Sequence, residues 1–250
     1  MKVRINSNKR IGRVVFLTEG PKDEPNLLEA IFCDVLGYDV AVYDKRNGST
    51  KRFVKRADPY SRIYVAAMPT SSIKNLPITK DYEDEIYNAL KQYGLQMNEA
   101  AVFYLFDRDY QSNKQAAVES SIGSLRNPYD NGESMAGALL LSYPCLQAYY
   151  CEAHGIDVAF DSSHEAKVYV NTNSLKDLND RDVYTAASDM LGALKEIRRR
   201  DFAVSELDDY SLINRDVYRY EEARRATQKY RTLCLLSLAL FDLGVLEIDA

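Results

Sequence analysis

Four acidic residues in the sequence have the type and spacing of a metal-binding site. Glu19 and Asp23 follow the apolar run VVFLT, and Asp107 and Asp109 follow the apolar run AVFYLF. Alternate side chains of an extended chain lie on the same side, so Asp107 and Asp109 can face one ion. Clustered carboxylates repel one another unless a hard cation neutralises them, and Mg²⁺ prefers oxygen ligands, bound waters and phosphate oxygens. The pattern therefore predicts a site for Mg²⁺, or for Mn²⁺ in its place. Its candidate ligands are Glu19, Asp107 and Asp109, and Asp23 can lean over the same edge.

Helix capping is the alternative explanation for these acidic residues. Asp and Glu are common at strand ends because their side chains cap the helix that follows. Asp23, directly before Glu24 and Pro25, fits that role well. Two acidic motifs at the ends of two predicted buried strands are more specific than either motif alone, which favours the metal site.

The predicted strands and helices place these residues at one edge of a sheet. Apolar runs too short for helices and rich in β-branched and aromatic residues are typical of strands covered on both faces. Their alternation with helical patterns predicts an α/β fold with a mostly parallel sheet flanked by helices. Ligands of such sheets bind at the carboxyl ends of the strands, which is where the acidic residues fall. The predicted strands are residues 14–18, 63–67, 101–106 and 138–142, and the predicted helices are residues 23–36, stopped by Gly37, and residues 82–93.

The sequence changes character near residue 146. Its later elements are predicted as helices at residues 145–154, 182–200 and 218–245 and a short strand at residues 167–170. We therefore expect a catalytic domain of residues 1–145 and a mostly helical C-terminal region of residues 146–250.

A basic hairpin is the best candidate for contacts with nucleic acid. Residues 40–43 and 52–54 flank Asn47-Gly48, a strong hairpin pattern. Six cations crowd this hairpin in a protein of net charge −5, and a single acidic residue, Asp44, lies nearby. Backbone phosphates are the natural target of such a cluster. The predicted nucleic-acid-binding residues are Lys45, Arg46, Lys51, Arg52, Lys55 and Arg56.

Two further basic clusters and the tyrosines have simpler explanations. Cations at residues 195–200 suit the C-terminal end of a helix, whose dipole favours them. Those at residues 219–231 are interleaved with acidic residues, so an ion-paired surface explains them as well as nucleic-acid binding does. The 19 tyrosines can include platforms for base stacking, and the sequence assigns none of them.

The two acidic motifs resemble those of the Toprim domain. Its pattern is a glutamate-glycine turn after the first strand, here Glu19-Gly20, and an Asp-x-Asp after a later strand, here Asp107-Arg108-Asp109. Topoisomerases, primases, small ribonucleases and OLD-type defence nucleases share this domain, and the likeness covers residues 10–145. The resemblance implies that Asp107 and Asp109 hold Mg²⁺, while Glu19 is a metal ligand or an acid–base group.

Departures from the family pattern exclude several branches of the Toprim family. The chain is too short for the zinc module, strand gate or tyrosine-nucleophile domain of primases and topoisomerases. It also lacks the G-x-x-x-x-G-K-[ST] pattern of the ATPase that OLD nucleases carry in the same chain. It therefore resembles stand-alone Toprim nucleases that act beside a separate ATPase as anti-phage effectors. We accordingly expect a toxic endonuclease of RNA, tRNA included, or of DNA, with a separate ATPase partner.

Composition excludes several other classes of protein. The chain has 250 residues, 46% hydrophobic and 28% charged, which is an ordinary globular composition. Four cysteines without a C-x-x-C pair and two histidines argue against a structural zinc site. The longest apolar stretch, residues 233–241, is far shorter than the ~20 residues of a membrane span, and the basic start leads into no signal peptide. We expect a soluble, cytoplasmic protein without membrane contact.

Two other functions and the oligomeric state complete the expectations. A phosphatase of the haloacid-dehalogenase type also places Asp-x-Asp after a strand, although there the motif ends the first strand and precedes a Thr, whereas Tyr110 follows it here. A non-catalytic interaction module is the third hypothesis.

Residues 233–246 are apolar around most of a helix, which must therefore be buried. Burial against a second copy predicts a homodimer, and burial within the chain is the alternative.

Overall fold

A computed structural model describes residues 2–44, 50–68, 88, 91, 94–95, 100–111, 113–129, 137–200 and 204–249. In chain order the strands are β1 (Lys2–Ile5), β2 (Arg13–Thr18), β3 (Asp39–Asp44), β4 (Thr50–Lys55), β5 (Asp58–Ala67), β6 (Ala100–Asp107), β7 (Arg126–Asn127), β8 (Gly137–Tyr143), β9 (Ala159–Phe160), β10 (Tyr230–Arg231), β11 (Leu233–Cys234) and β12 (Leu246–Asp249). The helices are α1 (Asp23–Glu29), α2 (Gln115–Ser124), α3 (Gln147–Ala153), α4 (Ser163–Thr172), α5 (Asp180–Arg198), α6 (Tyr210–Arg225) and α7 (Leu236–Asp242). A π-helical segment, Ala30–Val35, continues α1, and a 3-10 turn, Val204–Glu206, precedes α6.

The central sheet has parallel strands in its middle and antiparallel strands at its edges. Its order is β11-β8-β6-β2-β5-β4-β3, with β7 beside β8. The inner strands β8, β6, β2 and β5 are parallel. Every residue of β6 and β8 is buried, since both faces of these strands are covered. The α/β class with a mostly parallel sheet flanked by helices is confirmed.

The chain reverses its direction of travel across the sheet between β2 and β6. From β2 the chain goes on to β5, on one side, and later returns to β6, on the other side of β2. In an open parallel sheet such a switch point leaves a crevice outside the carboxyl ends of the two strands. Glu19 follows β2 and Asp107 ends β6, so both residues lie at this crevice.

Most of the strands predicted from the sequence are confirmed. The runs at residues 14–18, 63–67, 101–106 and 138–142 lie within β2, β5, β6 and β8. Strands β3 and β4 form the predicted antiparallel hairpin, with Val40 opposite Phe53. Its turn, residues 45–49, lies outside the described residues, as does nearly all of the helix predicted at residues 82–93.

Two predictions for the second half of the chain are wrong. The strand predicted at residues 167–170 is part of α4, because Ser162 caps a helix there by accepting a hydrogen bond from the backbone N–H of Glu165. The long helix predicted at residues 218–245 is four elements: the end of α6, then β10, β11 and α7. Pairing with distant strands overrides helical propensity in this segment, since β10 pairs with β9 and β11 pairs with β8.

The segment after residue 146 packs into the same hydrophobic core as the sheet. Helix α3 packs on α5, α6 packs on β8, and α7 packs on β8 and β12. The apolar residues of segment 233–246 that are buried in this core are Leu233, Leu235, Leu236, Leu238, Leu240, Leu243, Val245 and Leu246. Burial within the chain, the alternative to a dimer contact, is therefore what this segment adopts. Among the described helices none has the length and apolarity to cross a bilayer.

Candidate active site at the carboxyl edge of the sheet

Glu19 and Asp107 meet at the switch point of the sheet. The backbone N–H of Glu19 extends the β2–β6 pairing by donating to the Leu105 carbonyl, at 3.2 Å. The Glu19 carboxylate in turn accepts a hydrogen bond from the backbone N–H of Asp107, with 2.9 Å between Oε2 and N. Asp107 Oδ1 accepts from the backbone N–H of Leu146, at 2.7 Å. Two residues 88 positions apart are thus held together through backbone donors.

Arg108 and Asp109 follow the end of β6. Arg108 is 1% exposed, and its guanidinium donates to Glu222 Oε1 at 2.8 Å and to the Asn113 carbonyl at 2.9 Å. Asp109 is half-buried, and its backbone N–H donates to the Pro144 carbonyl at 3.1 Å. The charge of Asp109 reaches Glu19, since it contributes to the raised pKa of that carboxyl.

Asp23 and Glu24 approach the same edge from the start of α1. Lys22 is the N-cap residue of α1 and no side chain caps the helix, so Asp23 is not the capping residue that the alternative explanation required. Glu24 is 6% exposed and folds back over Gly20, where a Cβ atom would lie 2.9 Å from Glu24 Oε2. A glycine at this turn therefore leaves room for a second buried glutamate, which the sequence analysis did not identify.

A lysine from the C-terminal region faces the carboxylates. Lys167, on α4, places Nζ 3.8 Å from Asp23 Oδ2, and Lys176 places Nζ 4.0 Å from Asp23 Oδ1. Gln147, at the start of α3, donates to Asp23 Oδ2 at 3.4 Å. Lys167 was missed because its segment was predicted as a strand, although Ser162 and Glu165 have the spacing of a helix capping box.

Burial and neighbouring negative charges make ionisation of the carboxyls at this site unfavourable. Burial, with the charges of Glu24 and Asp109, raises the pKa of Glu19 to about 7. Burial and the charges of Glu24 and Glu19 raise the pKa of Asp107 well above its usual range. Although burial acts in the opposite direction, the carboxylates of Asp107 and Asp23 raise the pKa of Lys167. A bound cation would be favourable here, because it would let these buried carboxyls ionise.

The crevice presents carboxylate oxygens, the type of ligand that Mg²⁺ prefers. Within the described ranges, however, no group of three or more His, Cys, Asp or Glu side chains is placed to hold a metal ion. Mg²⁺ commonly binds through one or two carboxylates and completes its shell with waters and substrate phosphates. Glu19, Asp107 and Asp109 supply carboxylate oxygens of that kind at the mouth of the crevice.

The hairpin cations have acidic partners that the sequence analysis did not foresee. Lys51 is buried, with Nζ 2.5 Å from Glu29 Oε2 and 2.9 Å from Asn26 Oδ1. Arg56 pairs with Asp39 at 2.7 Å. The expectation that Asp44 is the one acid near the cluster is therefore wrong.

Strand β4 of the hairpin runs from the carboxyl edge of the sheet to its amino edge. Strand β4 is antiparallel to β5, so Lys55, at its end, lies at the amino edge of the sheet opposite Asp58, where its Nζ contacts the Ser7 carbonyl. Arg52 lies opposite Tyr64 in the middle of the hairpin. Lys45 and Arg46 lie outside the described residues, while the flanking pair Asp44 and Thr50 lies towards the carboxyl edge.

Ion pairing accounts for several cations of the other two basic clusters. Arg198 pairs with Asp216 at 3.1 Å, and Arg231 pairs with Glu196 at 2.6 Å. Lys229 lies 3.0 Å from both Asp161 and Glu165. These contacts favour the ion-paired surface that the sequence analysis gave as the alternative to nucleic-acid binding.

Comparison with known proteins identifies no family. No protein-family model and no curated protein matches the chain. Among solved structures, the cytosolic domain of the FeoB iron transporter of T. maritima, in its apo form, is similar at 11% sequence identity and a TM-score of 0.24. The alignment covers 93% of this chain and 94% of that one. A TM-score of this size supports no argument about function, so the interpretation depends on the site itself.

Proposed function

We propose that this protein is a Mg²⁺-dependent endonuclease with a Toprim-like fold, which hydrolyses phosphodiester bonds in RNA or DNA. The observation that carries the proposal is the contact between Glu19 and Asp107 at the switch point of the sheet, with Asp109 and Asp23 beside it. This is the position at which open parallel sheets bind ligands. The order of the two acidic motifs along the chain supports the same assignment.

Each residue of the site has a separate role in the proposed reaction. Asp107 and Asp109 would hold Mg²⁺, which on binding polarises the scissile phosphate and lowers the pKa of a bound water. Glu19, with a pKa of about 7, is suited to accept or donate a proton near neutral pH. Lys167, which lies over the same edge, is suited to contact a phosphate oxygen.

A cleavage assay tests the proposal. Purified protein is incubated with RNA, tRNA and plasmid DNA, with Mg²⁺, with Mn²⁺ and with EDTA. We expect cleavage in Mg²⁺, partial replacement by Mn²⁺ and none in EDTA. Absence of cleavage of all three substrates, combined with Mg²⁺-dependent hydrolysis of p-nitrophenyl phosphate, would favour the phosphatase alternative.

The biological setting of the proposal depends on the Toprim resemblance. A stand-alone nuclease of this kind is proposed to be a cytoplasmic, toxic effector of anti-phage defence, restrained by a separate ATPase and acting as a homodimer. Segment 233–246 gives the dimer no support, because its leucines are buried within the chain. Growth arrest on expression of the wild-type protein, relieved by Glu19→Gln, is the expected outcome, and unimpaired growth would contradict the effector role.

A further inference from the structure

An exposed tyrosine follows the second acidic motif directly in the chain. Tyr110 follows Asp109 in the chain, so their Cα atoms are ~3.8 Å apart, and 48% of Tyr110 is exposed. The guanidinium of Arg225, from the end of α6, lies over the Tyr110 ring, 3.1 Å from its centroid. An aromatic ring and a planar cation are therefore stacked one residue along the chain from Asp109.

The position of Tyr110 distinguishes it from the other exposed tyrosines that the structure describes. Tyr60 lies near the start of β5, at the amino edge of the sheet, where Arg10 covers it at 4.4 Å. Tyr43 is on the edge strand β3. The hydroxyl of Tyr129 donates to Asp242 at 2.7 Å. Of these exposed tyrosines, Tyr110 is the one that adjoins Asp109 in the chain.

The charge of Arg225 is available to a ligand. Within the described ranges Arg225 lies over the rings of Tyr110 and Tyr230 and forms no ion pair with a carboxylate. Its neighbours Lys229 and Arg231 are neutralised by acidic partners. Arg108, whose guanidinium lies 5.8 Å from the Tyr110 ring, is paired with Glu222. The stacked pair therefore carries one positive charge beside an aromatic face.

We propose that Tyr110 and Arg225 form a subsite for one unpaired nucleotide next to the scissile phosphate. Every base has a π-face that stacks on an aromatic ring or on an arginine plane, and the guanidinium can contact the adjoining phosphate. A base inside a duplex is already stacked and paired, so this subsite selects single strands, loops or extruded bases. The inference deepens the proposed nuclease function and depends on it.

Binding measured without catalysis tests the subsite. Fluorescein-labelled single-stranded RNA of mixed sequence, and the same sequence as a duplex, are titrated in EDTA with wild type, Tyr110→Ala and Tyr110→Phe. Stacking on one aromatic ring corresponds to roughly a 5- to 150-fold effect on Kd, so Tyr110→Ala should weaken single-strand binding by that factor. Tyr110→Phe should restore it, and Arg225→Ala should reduce the salt slope by about 0.7.

The Tyr60→Ala variant is the matched control, since Tyr60 is exposed and stacked by an arginine at the opposite edge of the sheet. It should bind like wild type.

The fluorescence of 2-aminopurine gives a direct measure of stacking. Wild type and Tyr110→Phe should quench this fluorescence in an oligonucleotide that contains 2-aminopurine, and Tyr110→Ala should not. If the wild type cleaves and binds RNA while Tyr110→Ala matches Tyr60→Ala, the subsite is wrong and the nuclease proposal stands. Absence of wild-type binding to single-stranded RNA and DNA overturns both.

Discussion

At the scale of single residues, the site is a group of carboxyls in an unfavourable environment. Asp107 is nearly buried, next to Glu19 and Glu24, and one backbone N–H and Lys167 oppose the resulting rise in its pKa. Replacing such a group by its neutral isostere removes the cost of burying charge. Stability and activity should therefore respond in opposite directions, as expected of a functional rather than a structural residue.

The variant Asp107→Asn tests this expectation. It keeps an acceptor for the Leu146 N–H and removes the charge. In metal-free buffer its free energy of unfolding should equal or exceed that of wild type. Its cleavage rate in Mg²⁺ should fall at least ~100-fold, because a bound metal ion supplies several kcal/mol of stabilisation to the transition state. Unfolding in urea and cleavage kinetics provide the two measurements.

Asp34→Asn is the matched control for that prediction, since Asp34 is exposed and lies on the far part of the helical segment after α1. It should leave both quantities unchanged. Mg²⁺ should raise the Tm of wild type and of Asp34→Asn, but not that of Asp107→Asn, because a ligand that binds the folded state stabilises it. Wild-type cleavage by Asp107→Asn would refute the metal assignment.

Glu221 gives a second prediction, on the pH dependence of stability. Burial raises the pKa of Glu221 to about 7 from 4.5, and its Oε2 accepts from the Arg231 N–H at 3.1 Å. The raised value means that the favourable contribution of the protonated carboxyl is complete below pH 4.5 and lost as the pH rises through 7. Relative to Glu221→Gln, wild type should lose about 3 kcal/mol of unfolding free energy between pH 4.5 and pH 8. Urea unfolding at both pH values measures this, with Glu119→Gln, at an exposed position, as the control.

Sequence reasoning identified the acidic residues that lie at strand ends and missed the residues that fold over them. Glu19, Asp107 and Asp109 were predictable because the parallel strands fix where their carboxyl ends meet. Glu24 and Lys167 were not predictable. The position of Glu24 depends on the local backbone path around Gly20, and Lys167 comes from the distant helix α4. Contacts of that kind follow from tertiary packing, which residue spacing does not encode.

At the scale of elements, the start of α4 determines whether Lys167 reaches the site. The Ser162 hydroxyl accepts from the Glu165 N–H at 3.2 Å, and Glu165 Oε2 accepts from the Asp161 N–H at 2.8 Å. Ser162→Ala should lower the free energy of unfolding by about 1 kcal/mol, the usual value of an N-cap. The neighbouring Ser163 has a buried hydroxyl without a partner among the described residues. Ser163→Ala is thus a matched control that should be neutral or slightly stabilising in the same unfolding assay.

The same elements explain which parts of the fold were predictable. The inner strands were predictable, because continuous apolar runs such as those of β2 and β6 form few structures other than buried strands in an α/β chain. Helix α4 was not predicted, because Val168, Tyr169 and Val170 are of the β-branched and aromatic types common in strands. The capping residues that decide the conformation precede them. The conformation of the segment from β10 to α7 was not predictable, because its apolar residues fit a helix as well as strands. Its conformation is fixed by pairing with β8 and β9.

At the scale of the whole molecule, one core joins the sheet and the segment that was expected to make dimers. Leu240, on α7, is fully buried in that core. Leu240→Ala should therefore lower the free energy of unfolding by about 2–5 kcal/mol through the cavity it leaves. The loss should be the same at low and high protein concentration, as judged by urea unfolding. A loss that grows on dilution would show that Leu240 lies in an interface between copies.

Strand β1 pairs with β12, with Val3 opposite Ile248 and Arg4 opposite Glu247. Synthesis from the N-terminus therefore makes β1 well before the strand it pairs with. Strand β11, which covers the edge of β8, is also made late. A nascent chain thus carries Glu19, Asp107 and Asp109 before β11 is made to cover the edge of the sheet that positions them.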